Sequence, residues 1–180
     1  SYTTTALSDG THSFTAVVTD GAGNQTTTTP ARTATIDATA PTVTMSSTIT
    51  TDTGATGTIS SGGTTKDNTL VLSGTVSDTG GSGVSLVQIY DGATLLGTAV
   101  VNSGNWSYTT SALGNGSHSF TAKVTDVAGN TFTTTTPVTA TIDATAPTVT
   151  MSNTITTDTG ATGTISGGGT TKDNTLLLSG

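Results

Sequence analysis

Apolar residues along this chain recur at every second position, and no stretch repeats them at helical spacing. The clearest run is 120–125, where Phe120, Ala122 and Val124 alternate with Thr121, Lys123 and Thr125. A strand would bury the first set and leave the second outside. Val87 and Ile89 share a face within 84–90, the most apolar stretch, and Leu70 and Leu72 do so within 69–77. Val43 and Met45 form the same pattern just after Pro41. With 93–101, 106–108 and 131–142, these make seven predicted strands, the last interrupted by Pro137, which suits an edge or a bulge. Turn chemistry separates them: 78–83, the hairpin pair Asp91-Gly92, 102–105 and 126–130. Residues 46–68, rich in Gly and Thr, read as one long polar loop.

The pattern occurs more than once. Residues 35–45 return letter for letter as 141–151, so that Asp37 and Asp143 stand 106 positions apart. Residues 1–74 lie over 107–180 without a gap, differing at positions such as Val17/Lys123 and Asp9/Asn115. An outward position tolerates the first exchange. In this frame 1–37 is the C-terminal part of one repeat, 38–143 is a complete repeat, and 144–180 is the N-terminal part of the next. A unit of this length holds one hydrophobic core. About seven short strands per unit, with turns every ~8–12 residues, predict an all-β chain of tandem immunoglobulin-like β-sandwich domains.

Charge narrows the chemistry. Eleven acids stand against four bases, giving a net charge of −7, and every acid is aspartate. Short-armed carboxylates beside Gly, Asn and Thr point to turns and to cation ligation. So few Lys and Arg exclude a phosphate backbone as partner. There is no cysteine, hence no disulfide or thiolate site, and no apolar run near membrane-spanning length, so no direct membrane insertion is expected.

If consecutive strands run up and down the sandwich, its loops alternate between two ends. Asp37, Asp78, Asn102, Asn105, Asp126 and Asn130 then fall at the leading end; Asp52, Asp67, Asp91, Asn115 and Asp143 fall at the trailing end. Asp37, Asp78 and Asp126, with Asn130, would form an oxygen-only site for a hard cation such as Ca²⁺, because close carboxylates repel unless a cation joins them. The same residues also suit Asx-type turns that bond their own backbone, and the pattern leaves both readings open. For Asp52, Asp67, Asp91 and Asn115 the turn is favoured. The triplets Asp52-Thr53-Gly54, Asp78-Thr79-Gly80 and Asp158-Thr159-Gly160 spell an aspartic-protease signature, but with polar flanks and by repetition. His118 and its counterpart His12 read as structural, and no enzyme is expected.

The residues that join and close the repeat resemble a known family. They are Asp-Ala-Thr-Ala-Pro at 37–41 and 143–147, Asp67-Asn68-Thr69-Leu70, Tyr90-Asp91-Gly92 with Leu95-Leu96-Gly97, Asn105-Trp106-Ser107-Tyr108, and Val124-Thr125-Asp126 followed by Ala128-Gly129-Asn130. Across the complete repeat and both partial ones they are similar to the bacterial Ig-like repeats of giant biofilm-associated adhesins. The resemblance implies a type I secreted, extracellular protein on the bacterial cell surface, with scores of such domains forming a stalk. It implies calcium at the joins, held by Asp37, Asp78 and Asp126, with Asp143 and Asp20 as repeat equivalents. It also implies partners: neighbouring repeats of the same chain, and a host or abiotic surface met by distal domains. One departure is Gly57-Thr58-Ile59, where many such repeats carry a further acid.

The expected function is a structural extender, supporting cell adhesion and biofilm formation, with repeats of roughly 30–40 Å each. Two alternatives stand beside it: a glycan- or protein-binding module using the 46–68 loop with Trp106 and Tyr108, and a filament that self-associates through edge strands.

Overall fold

In a computed structural model, residues 1–51, 57–157, 163–170 and 175–180 are described. The Asp52 and Asp158 triplets lie outside them. The described chain is all-β and falls into two units, Ser1–Ala144 and Thr145–Gly180.

The first unit opens with β1 (Gly10–Phe14), β2 (Val17–Thr19), β3 (Gln25–Thr27) and β4 (Arg32–Ile36). Here β1 pairs with β4 and β2 with β3. The sandwich follows, with β5 (Thr42–Val43), β6 (Thr48–Thr51), β7 (Gly57–Ser60), β8 (Gly63–Thr65), β9 (Leu70–Ser77), β10 (Val84–Asp91), β11 (Thr94–Thr98), β12 (Val100–Asn102), β13 (Asn105–Thr109), β14 (Gly116–Asp126), β15 (Thr131–Thr133) and β16 (Val138–Ile142). Two six-stranded sheets result. One runs β11-β10-β14-β16-β8, with β15 also on β14; the other runs β12-β13-β9-β6-β7, with β5 also on β9. The second unit holds β17 (Thr154–Thr157), β18 (Gly163–Ser166) and β19 (Leu176–Leu177), in the order β18-β17-β19.

The alternation seen in the sequence sets the core. From one sheet Val87, Ile89, Phe120, Ala122 and Val124 are fully buried; from the other Ile49, Leu70, Leu72 and Trp106 meet them. Val43 is buried, and Met45 packs half-buried against the cluster. Period-two side chains on two facing sheets turn these residues inward and leave Thr121, Lys123 and Thr125 of β14 half-exposed on the opposite face.

Three strand assignments need correction. Residues 46–68 are not a loop: Thr-Ile-Thr alternation there builds β6 and β7, whose register pairs Ile49 with Ile59, and β8 runs parallel to β16. Thr-rich segments carry strand propensity even where they carry little hydrophobicity. The stretch 93–101 is two strands in different sheets, divided at the buried Ala99, whose N–H bonds the Val87 carbonyl at 2.8 Å. The stretch 131–142 likewise divides into β15 and β16, with Pro137 just before the second. Among the described residues the sandwich therefore contains twelve short strands from β5 to β16 rather than about seven, because 46–68 adds three and each of the two long runs divides in two.

Candidate metal centre

Three loops deliver the carboxylates that parity places at the leading end. Asp37 follows β4, Asp78 follows β9, and Asp126 ends β14. One oxygen from each lies within 4.8 Å of the others. Two oxygens bound to one calcium are at most about 4.6–5.2 Å apart, since each Ca–O distance is about 2.3–2.6 Å. The spacing thus fits a single ion, and the donor set is all oxygen, as a hard cation prefers.

Local backbone fixes each carboxylate. Asp126 Oδ1 accepts the N–H groups of Gly129 (2.6 Å) and Asn130 (2.8 Å), closing the turn after β14. Asp78 Oδ2 accepts from Gly83 N–H at 2.7 Å, which leaves Oδ1 without a hydrogen-bond partner among the described residues. Asp37 Oδ2 accepts from Ser82 N–H at 2.6 Å, and its Oδ1 from Thr39 N–H at 3.1 Å. The hydrogen bonds from Ser82, with Thr39 behind them, hold the Asp37 carboxyl below its ordinary value against the opposing pull of burial. The Asx-turn and cation readings are therefore compatible, because a carboxylate oxygen has lone pairs for more than one contact and can accept a backbone N–H while also facing a cation.

Asn130 joins the site as a donor. Its Nδ2 lies 2.8 Å from Asp126 Oδ2 and 3.1 Å from the Asp37 carbonyl, so it orients these oxygens and ties the linker to the turn. Asp20 repeats the Asp126 turn, with bonds from Ala22 N–H, Asn24 N–H and Asn24 Nδ2, each 2.9 Å. Those from Asn24, side chain first, hold its carboxyl low. Asp20 stands apart from the cluster, as does Asp143, whose N–H bonds the Thr65 carbonyl at the trailing end.

Gly81 is a contact the sequence did not signal as special. A Cβ there would overlap both oxygens of Asp78. Because a carboxylate can swing aside, Gly81→Ala is expected to change melting by no more than about 0.5 kcal/mol in chelator. It is also expected to reduce any calcium-induced stabilisation, which calorimetry with and without the ion would read.

Other expected turn residues divide. Asp67 bonds Thr69 N–H at 3.1 Å, a local turn. Asp91 instead reaches across to β14, accepting from Ser119 N–H at 2.8 Å and contacting His118 at 2.7 Å. Cross-strand register, invisible in a single sequence, decides that. Asn115 Oδ1 accepts from Ala144 N–H at 3.1 Å, holding the linker out of the repeat. Asp9 does the same for Ala38 at 2.9 Å. Trp106 is 2% exposed, so it offers no aromatic platform for a glycan. The Tyr108 hydroxyl is spent on the Leu96 carbonyl at 2.7 Å.

Two facing antiparallel-rich sheets with acidic loops at the join define an Ig-like β-sandwich domain. A family model described as "Bacterial Ig-like domain" matches residues 39–144, more than half of the chain, and "Bacterial Ig-like domain (group 3)" matches 1–61. The chain belongs to the bacterial Ig-like domain family. Among solved structures it is similar to the fibronectin(III)-like modules of Clostridium thermocellum CbhA, at 15% identity with a TM-score of 0.38, over 47% of this chain and 86% of that one. No curated protein matches it.

Proposed function

We propose that this repeat is an extender module of a bacterial surface protein, and that a calcium ion held by Asp37, Asp78 and Asp126 stiffens the junction between successive repeats. The observation that carries this reading is where the three carboxylates come from. Asp37 belongs to the linker, whereas Asp78 and Asp126 belong to loops of the sandwich that follows. An ion shared among them restrains the linker against the domain, and Asn130 adds a second tie. The ion would neutralise three like charges that otherwise repel. Its chemistry here is structural, and the module has no catalytic role.

Repeated along an array, such joins would hold a distal adhesive domain away from the cell, serving adhesion and biofilm formation in a type I secreted, extracellular protein. The partners would be neighbouring repeats of the same chain and, through distal domains, a host or abiotic surface. The net charge of −7 would keep neighbouring stalks apart.

The test is thermal melting and solution scattering of the chain with millimolar calcium and with chelator. At about tenfold excess over the dissociation constant, one site adds about 1.4 kcal/mol. Calcium is expected to raise the melting temperature and lengthen the particle. Asp78→Asn with Asp126→Asn keeps an acceptor oxygen on each side chain but removes two charges, so it should abolish both responses; in chelator, relief of like-charge repulsion is set against loss of the Asn130 Nδ2 bond to Asp126. Equal calcium responses in the parent and double variant would reject the site.

A further inference from the structure

At the trailing end, His118 is enclosed on β14 with its side chain 14% exposed. Its Nδ1 lies 2.7 Å from Asp91 Oδ2, and its Nε2 lies 2.9 Å from the Gly114 carbonyl oxygen. A carboxylate and a carbonyl oxygen both accept hydrogen bonds and neither donates. A neutral imidazole carries one N–H and can satisfy only one of these contacts. The imidazolium satisfies both. The ring also stacks on Phe120, with centroids 6.0 Å apart and planes 8° from parallel.

The surroundings favour the charged form. Asp91 is fixed against the ring because its Oδ1 takes the Ser119 N–H while Gly92 N–H bonds the Ser119 carbonyl, each at 2.8 Å. Among the described residues, no competing charge faces the ring from the packed elements. Residues 110–115 and β16, whose Ala140 lies opposite His118, carry none, and Asp91 is the only charged residue of β10. Burial pulls the imidazole down, but the bond to Asp91, the Gly114 carbonyl and the Asp91 charge outweigh it and hold the group above its ordinary value.

What His118 holds matters for the linker. Gly114 precedes Asn115, whose Oδ1 accepts the Ala144 N–H, the first peptide beyond Asp143. Leu113 N–H anchors the same loop on the Asn68 carbonyl at 2.8 Å. The carbonyl and linker contacts, without the carboxylate, recur one repeat earlier, where His12 Nε2 contacts the Ser8 carbonyl at 2.8 Å and Asp9 accepts from Ala38 N–H and from the Thr39 hydroxyl.

From this geometry we propose that His118 is a proton-operated latch: charged, it ties the β10–β11 hairpin to the 113–115 loop and, through Asn115, steadies the outgoing linker; neutral, it releases one of its two ties. The latch holds whether or not a cation binds at the leading end. Its sign is opposite to that of the carboxylates there. A raised imidazole contributes stability that is fully present below its ordinary value of about 6.5 and is lost as pH rises through the folded value. Asp37, held low, contributes stability present above its ordinary value and lost as pH falls through the folded one.

The experiment is an NMR pH titration of the whole chain in chelator, following the His118 ring and the Ala144 amide. The His118 midpoint is expected above about 6.5, with the Ala144 amide shifting at the same midpoint. Asp91→Asn should lower the His118 midpoint, and His118→Gln should remove the Ala144 response altogether. Intact Trp106 fluorescence would show that both variants keep the core. A His118 midpoint unmoved by Asp91→Asn, or an Ala144 amide indifferent to the His118 titration, would overturn the latch.

Discussion

Trp106→Ala is expected to lower the melting temperature of the sandwich by tens of degrees. Trp106 is 2% exposed on β13 and is the chain's single tryptophan. Truncating a buried Trp to Ala costs about 3–5 kcal/mol through lost burial and the cavity left behind. The indole also donates from Nε1 to the Thr44 carbonyl at 2.9 Å, so the substitution strands an acceptor between β5 and β9, adding about 1–3 kcal/mol if water does not reach it. Set against a typical stability of about 5–15 kcal/mol, that threatens the fold. Each kcal/mol shifts melting by roughly 4–8 °C in a domain of this size. Calorimetry is the readout, because the variant carries no indole to report fluorescence. A fall of less than about 5 °C would mean the core tolerates the cavity.

The second large effect is expected from the smallest residue in the same place. Gly74 lies opposite Trp106 across β9 and β13. A Cβ on Gly74 would run into the Thr44 carbonyl oxygen and stand 2.8 Å from Trp106 Nε1. Neither can withdraw cheaply. Thr44 is fastened by its N–H to the Thr75 carbonyl at 2.8 Å and by its hydroxyl to that of Thr75 at 2.7 Å, and Ser46 N–H bonds the Ser73 carbonyl at 2.8 Å. Gly74→Ala should therefore cost about 1–3 kcal/mol as overpacking against backbone. Since both substitutions act on the Thr44 carbonyl, combining them should cost less than the sum of the two. Additive losses in a double-mutant cycle would show that Gly74 and Trp106 act separately. The second unit has the same close approach, with Gly180 against the Thr150 carbonyl oxygen.

Period-two alternation made the central strands legible. Phe120, Ala122 and Val124 are buried because a pleated strand turns every second side chain to one face, whatever surrounds it. Loop parity was enough to put Asp37, Asp78, Asp126 and Asn130 at one end, where they meet. Parity is a topological property and survives errors in strand boundaries. It could not show that Asn130 would turn its amide nitrogen toward the carboxylates, nor that Asp91 would face His118. Those depend on register and rotamer. The strands within 46–68 were missed because Ile49 and Ile59 are their only large apolar residues, and because β8 owes its place to a partner far along the chain.

That distant partner also governs how a repeat comes into being. β8 lies beside β16 with Gly63 opposite Ala140, and the Asp143 N–H then bonds the Thr65 carbonyl. A strand near the start of the repeat must wait for the final one before its sheet is complete. Contacts so far apart in sequence bear the loop-closure cost before any reward, and domains built on them fold in milliseconds to seconds rather than microseconds. A chain emerging from its N-terminus would hold each repeat open until that last strand is out. By then the following repeat, with a near-copy of the same β6–β8 segment at 154–171, is next to emerge as a rival for β16. Speed of closure relative to delivery therefore decides whether neighbours stay separate or exchange strands.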